Sequence, residues 1–199
     1  QIKNFEQLHH YKIKFDLTKD QLKAIDEINE DLRSEQKMFR LLQGDVGSGK
    51  TIVALTSILN VINSKFQVAF MAPTEILAQQ HYNLAKSLLP DNVKIDILTS
   101  KTDNKIRKKI INDLENHKID LLIGTHSLFQ DKINYRKLGL IIIDEQHKFG
   151  VKQRKKLSDK GGKNCDILVM SATPIPRTMI MTIFGDIDVS IIKSKPKNR

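Results

Sequence analysis

Two kinds of stretch take turns along the chain. Short apolar runs, "MFRLLQ" from 38, "QVAFMA" from 67, "VKIDIL" from 93, "DLLIG" from 120, "LGLIII" from 138, "DILVMSA" from 166 and "DVSII" from 188, read as strands apolar on both faces. The segments 51–63, 75–89 and 103–116 between them read as helices. Upstream, "DLTKDQLKAIDEINEDL" places Leu17, Leu22, Ile25, Ile28 and Leu32 at helical spacing, the mark of an amphipathic helix. Strand then helix, repeated, with strands buried on both sides, predicts an α/β doubly wound domain: a mostly parallel sheet with helices on both faces. Ligands of such sheets bind at the carboxyl ends of the strands. The residues that follow each apolar run are therefore the ones to read for chemistry.

No internal repeat or low-complexity segment interrupts the pattern, and Pro90–Asp91 and Gly161–Gly162 mark loops. Residues 15–192 are expected to form the domain, with 1–14 a leader from a preceding region and 193–199, "KSKPKNR", a linker toward a following one. The 199 residues, 40% of them hydrophobic, suit one ordinary core. A formal charge of +10, from 33 Lys and Arg against 23 Asp and Glu, is compatible with a polyanionic partner and equally with a solubilising surface. Cys165 is the single cysteine, so an intrachain disulfide is excluded and a reducing cytoplasm is the expected setting. No apolar run approaches the ~18 residues of a membrane span.

"GDVGSGKT", Gly44 to Thr51, fits the P-loop pattern G-x-x-x-x-G-K-[ST] and stands between a predicted strand and a predicted helix, as that pattern requires. Gly44, Gly47 and Gly49 let the backbone, with Ser48, curl into an anion nest at the positive end of the helix. Lys50 can reach the β- and γ-phosphates, and Thr51 can offer its hydroxyl to magnesium. ATP and Mg2+ are the expected ligands. Asp144, directly after "LGLIII", is placed to supply the metal's carboxylate, and its neighbour Glu145 to orient and deprotonate the attacking water. Gln21 closes the capping-box pattern "TKDQ" with Thr18, and its amide can also read an adenine edge.

Three other strand ends carry hydroxyls. Thr74 in "APTEILAQQH" stands at a predicted helix N-cap, a place suited both to capping and to a backbone phosphate. "GTHSLF", with Gly124, Thr125 and His126, is expected to repeat that arrangement after the next strand. "MSATPIPRT" adds Ser171 and Thr173, held by Pro174 and Pro176, as candidates to link nucleotide and polymer sides, together with His147. None of the histidines shows zinc spacing. Of two basic runs, 105–109 reads as a solvated helix face and 148–156, following the carboxylates, as a phosphate contact. With no Trp and few aromatics, contact with a nucleic-acid backbone is expected rather than base reading.

Together "FDLTKDQ", "GDVGSGKT", "MAPTEILAQQH", "GTHSLFQ", "IIDEQHKFGVKQR" and "SATPIPRT" resemble the ordered motifs of superfamily-two helicases, and more closely the first RecA-like motor domain of the RecG-type branched-DNA helicases. The transcription-repair coupling factors are the near neighbour, and typically differ at Gln146 and Ser48. The resemblance implies Gln21 on adenine, Lys50 on phosphates, Thr51 and Asp144 on magnesium and Glu145 on water. Thr74, Gly124, Thr125, His126, Ser171 and Thr173 would lie on the DNA or coupling side. It further implies ATP-driven remodelling of branched duplex DNA, such as stalled forks and Holliday junctions. A wedge domain and a second RecA-like domain with an arginine finger would complete the machine, in a monomer. The motifs by themselves leave an RNA helicase open, and a small-molecule P-loop NTPase more distantly.

Overall fold

The computed structural model describes residues 16–130, 132–144, 165–173 and 187–193. Strands β1 (Phe39–Gly44), β2 (Gln67–Met71), β3 (Ile95–Leu98), β4 (Leu121–Gly124), β5 (Leu138–Asp144), β6 (Asp166–Ser171) and β7 (Asp188–Ile192) form one sheet in the order β3-β4-β2-β5-β6-β1-β7. Every neighbouring pair is parallel. Among the described residues the α-helices are α1 (Lys19–Arg33), α2 (Lys50–Asn63), α3 (Glu75–Leu88) and α4 (Asn104–Glu115). None is long and apolar enough to cross a membrane.

Residues of β2, β4 and β5 are buried throughout, as Leu, Ile and Val runs covered on both sides must be. Alternation along each strand divides the core in two. Phe70, Ile123, Leu140 and Ile142 pack with α1, α2 and α3, whereas Ala69, Leu122, Ile141 and Ile143 pack with α4 and the segment after β4. Carrying the same alternation one step further puts Asp144 on the face of α2 and α3.

The predicted amphipathic face of α1 needs one correction. Ile25, Ile28 and Leu32 are buried, but Leu22 is 44% exposed and Gln21 occupies the inward position in its place, 2% exposed. The helix docks against the loop after β1, and there a polar side chain is what the contact takes. Likewise "GTHSLF" does not repeat the helix N-terminus seen at Thr74. It forms a single 3-10 turn, His126–Phe129, that Thr125 does not cap. Gly124 has its own local reason, since a Cβ there would lie 1.9 Å from the Leu98 carbonyl oxygen of the adjoining strand.

At the amino edge of the sheet, buried polar groups are closely paired. Gln67, 1% exposed, donates through Nε2 to the carbonyls of Leu114 (3.0 Å) and Ile119 (2.8 Å), and its Oε1 accepts from Lys137 N at 3.0 Å. Arg40 of β1 bonds Asp31 (2.7 Å) and Glu27 (3.4 Å) of α1 and Ser190 Oγ (3.0 Å) of β7. Asp166 accepts from Met38 N at 2.8 Å, and burial pushes its carboxyl up to about 7. Burial likewise pushes the Cys165 thiol up to about 12, which leaves it protonated and inert at neutral pH.

Candidate functional site

At the carboxyl edge, β1 gives way at Gly44 to a loop that enters α2. Gly47 and Gly49 hold φ of 80° and 85°, a region that side-chain-bearing residues avoid. A Cβ on Gly49 would also stand 2.2 Å from Gln21 Nε2, so this position needs glycine twice over. No side chain caps α2. No side chain therefore competes with an anion at the positive end of the helix. Lys50 Nζ spans the loop, donating to the carbonyls of Gly44 at 2.6 Å and Asp45 at 3.0 Å. Ser48 Oγ is buried with no hydrogen-bond partner among the described residues. An uncapped helix start, two left-handed glycines, an ammonium and an orphaned hydroxyl make a donor-rich cradle, and this chemistry fits a phosphate chain.

Gln21 fills the capping role that its sequence allowed and adds a bond to the loop that the sequence did not show. Its Oε1 accepts from Thr18 N at 2.8 Å, completing the capping box, while Nε2 donates to the Ser48 carbonyl at 2.8 Å. The start of α1 is in this way pinned to the loop.

The register aligns the remaining pieces. Gln43 of β1 lies opposite Ser171 of β6, and Met170 of β6 opposite Asp144 of β5, so the loop, Ser171 and Asp144 form a row across three strand ends. Two strand spacings, roughly 10 Å, separate β1 from β5. Thr51 is in the first turn of α2, on the sheet face toward which Asp144 alternates. Ser171 Oγ accepts from Thr173 N at 3.3 Å and lies 3.2 Å from Thr173 Oγ1, so these two hydroxyls close a small turn on each other. Glu145 and His147 lie outside the described residues, as do the basic run 148–156, Pro174, Pro176, the leader and 194–199.

Thr74 is exposed and caps α3, accepting from Leu77 N at 3.2 Å. Glu75 beside it is bonded by Ser100 Oγ (2.7 Å) and Lys101 Nζ (2.9 Å) from the loop after β3. The Ser100 hydrogen bond first, and then Lys101, hold its carboxyl below the usual range. His126 is exposed.

One residue escaped the reading of the sequence. His81 of α3 is buried with Nε2 2.6 Å from Asp144 Oδ2, and its ring stacks on Phe70 with centroids 4.6 Å apart. The available signal was a histidine in a stripe otherwise made of Ala78 and Ala85, the other buried residues of α3.

Comparison with known proteins agrees with this geometry. The DEAD/DEAH box helicase family matches residues 18–182. The chain is 51% identical over 186 residues to the ATP-dependent DNA helicase RecG of Borreliella burgdorferi, covering 93% of this chain and 27% of that protein. It is 51% identical over 190 residues to the RecG of Aquifex aeolicus, covering 94% and 24%. It thus spans about a quarter of the length of these curated relatives. Among solved structures, RecG bound to a three-way DNA junction superposes with a TM-score of 0.79 at 46% identity, covering 93% of this chain and 25% of that one. A DEAD box protein of Methanococcus jannaschii shares the fold at a TM-score of 0.61 and 23% identity, covering 93% and 56%. The chain belongs to the DEAD/DEAH box helicase family, and among its members it is similar to RecG over nearly its whole length.

Proposed function

We propose that this chain is the ATP-binding motor lobe of a helicase that remodels branched duplex DNA. The observation that carries the reading is the 46% identity, across 93% of the chain, to RecG bound to a three-way DNA junction. The phosphate cradle at the end of β1 supports it.

In this reading the loop N–H groups and Lys50 hold the β- and γ-phosphates, with Lys50 turning from the Gly44 and Asp45 carbonyls to the ligand. Thr51 and Asp144 would hold Mg2+, which when bound offsets charge on the phosphate oxygens. Glu145 takes the proton of the attacking water. Gln21 reads adenine with the N–H and lone pair that its two present bonds leave over. Thr74, Gly124, Thr125, His126, His147, Ser171 and Thr173 serve the DNA and coupling side. A second RecA-like lobe supplies the arginine that stabilises the transferring phosphate, and a wedge domain selects the branch. The isolated chain accordingly hydrolyses ATP poorly and unwinds nothing.

The test is steady-state ATP hydrolysis by the full natural chain, titrated with a synthetic fork, linear duplex, single-stranded DNA and matched RNA. The fork is expected to stimulate most, and Lys50→Ala to lose on the order of a hundredfold or more in turnover. Equal turnover with and without nucleic acid would remove the polymer from the reading and leave an NTPase.

A further inference from the structure

The buried stripe of α3 runs through Ala78, His81 and Ala85. Two alanines flanking a histidine bring the helix close to the sheet, and they leave the imidazole as the one polar group of that stripe. It reaches the end of β5 with Nε2 2.6 Å from Asp144 Oδ2. At this distance the two atoms share a hydrogen bond, in which the imidazole N–H is the donor whenever the carboxylate oxygen is the acceptor. Phe70 of β2, fully buried, stacks on the ring at 4.6 Å and 27°, restricting its tilt. The Asp144 side chain is 12% exposed and that of His81 9%, so the bond is shielded from water.

From this geometry we infer that His81 is a positioning residue for nucleotide-linked metal binding: it fixes the rotamer of Asp144 from a neighbouring helix. The inference rests on the reading of Asp144 as the magnesium ligand. Carboxylates that bind metals are held by groups behind them, and loss of such a group typically costs 10–100-fold in metal affinity or activity. The plainer alternative is a fastener between α3 and β5, a role that any buried histidine–aspartate pair can fill. The two differ in what they predict for magnesium.

The experiment uses the full natural chain and binding of a fluorescent non-hydrolysable ATP analogue, titrated with Mg2+ and repeated in EDTA, beside thermal unfolding. His81→Ala is expected to raise the Mg2+ concentration needed for tight binding by about ten- to a hundredfold and to leave affinity in EDTA unchanged. His81→Gln, whose amide nitrogen reaches the place of Nε2, is expected to restore most of the loss. Should His81→Ala not fold, His81→Asn carries the same expectation, because its shorter amide stops short of Oδ2. A lowered melting temperature with an unchanged Mg2+ requirement would make His81 a fastener and overturn the inference alone. Asp144→Asn is the separate control. If that change leaves the Mg2+ requirement untouched, the assignment of Asp144 falls and takes the inference with it.

Discussion

The two edges of the sheet handle buried polar groups differently. At the amino edge Gln67 makes three hydrogen bonds, Arg40 is held by two carboxylates and a hydroxyl, and Asp166 closes on Met38 N. At the carboxyl edge Ser48 Oγ is buried without a partner among the described residues, α2 has no side-chain cap, and two loop glycines sit at positive φ. Satisfied buried groups stabilise a fold, whereas unsatisfied ones cost free energy unless a ligand completes them. The carboxyl edge has its own closed pairs in His81–Asp144 and Gln21–Ser48, so the contrast lies in the loop after β1, which keeps an orphaned hydroxyl and an uncapped helix start.

Gln67→Ala should break the stable edge most severely. The Leu114 and Ile119 carbonyls would each lose a buried bond and Lys137 N a half-buried one, and a cavity would replace the amide. A loss of about 3–5 kcal/mol is expected in denaturant unfolding. Nucleotide affinity of the folded fraction should not change, because the residue lies a whole strand length from the loop. A matching fall in affinity would show that the two edges are not independent.

Asp166 gives a pH-dependent version of the same comparison. Burial raises its folded carboxyl to about 7, above the ordinary value of 3.8. Below the lower value both states are protonated and stability is fully present. Between the two the folded chain holds a proton that the unfolded chain has released, so stability falls as pH rises and levels off above 7. Asp166→Asn keeps an oxygen for Met38 N and cannot ionise. The variant should therefore match the parent near pH 4 and exceed it by about 2–3 kcal/mol at pH 8, read from unfolding curves across that range. Parallel curves for the two proteins would show that this carboxyl does not titrate between folded and unfolded states.

What the sequence made legible follows the same division. "GDVGSGKT" is contiguous, so its glycines, lysine and threonine could be read in order, and the strand before it and helix after it are where the pattern needs them. The apolar runs were long enough to locate every strand of the sheet, but their order was not local information. Gln67 finds its partners 47, 52 and 70 residues away, and His81 reaches Asp144 across 63. Such pairs exist only once the sheet order is known. Helical spacing placed Leu22 inward because it cannot see that Gln21, bonded to the loop after β1, takes the inward position and leaves Leu22 exposed. Thr74 was ambiguous for another reason: a cap and a phosphate contact ask for the same hydroxyl.

The carboxyl edge offers the smallest effect and the opposite sign. Ser48→Ala deletes the orphaned hydroxyl while leaving the backbone that Gln21 grips through the Ser48 carbonyl. Removing an unpaired buried hydroxyl is neutral or favourable, so thermal unfolding without nucleotide should show a gain of up to about 1 kcal/mol. Nucleotide affinity should fall at the same time, by roughly tenfold for one lost hydrogen bond of about 1.4 kcal/mol. Those paired shifts are what a group reserved for a ligand produces, the folded chain carrying a cost that binding offsets. A variant that loses stability and keeps its affinity would show Ser48 to be part of the fold's own bonding, and the contrast between the two edges would fail at its most exposed point.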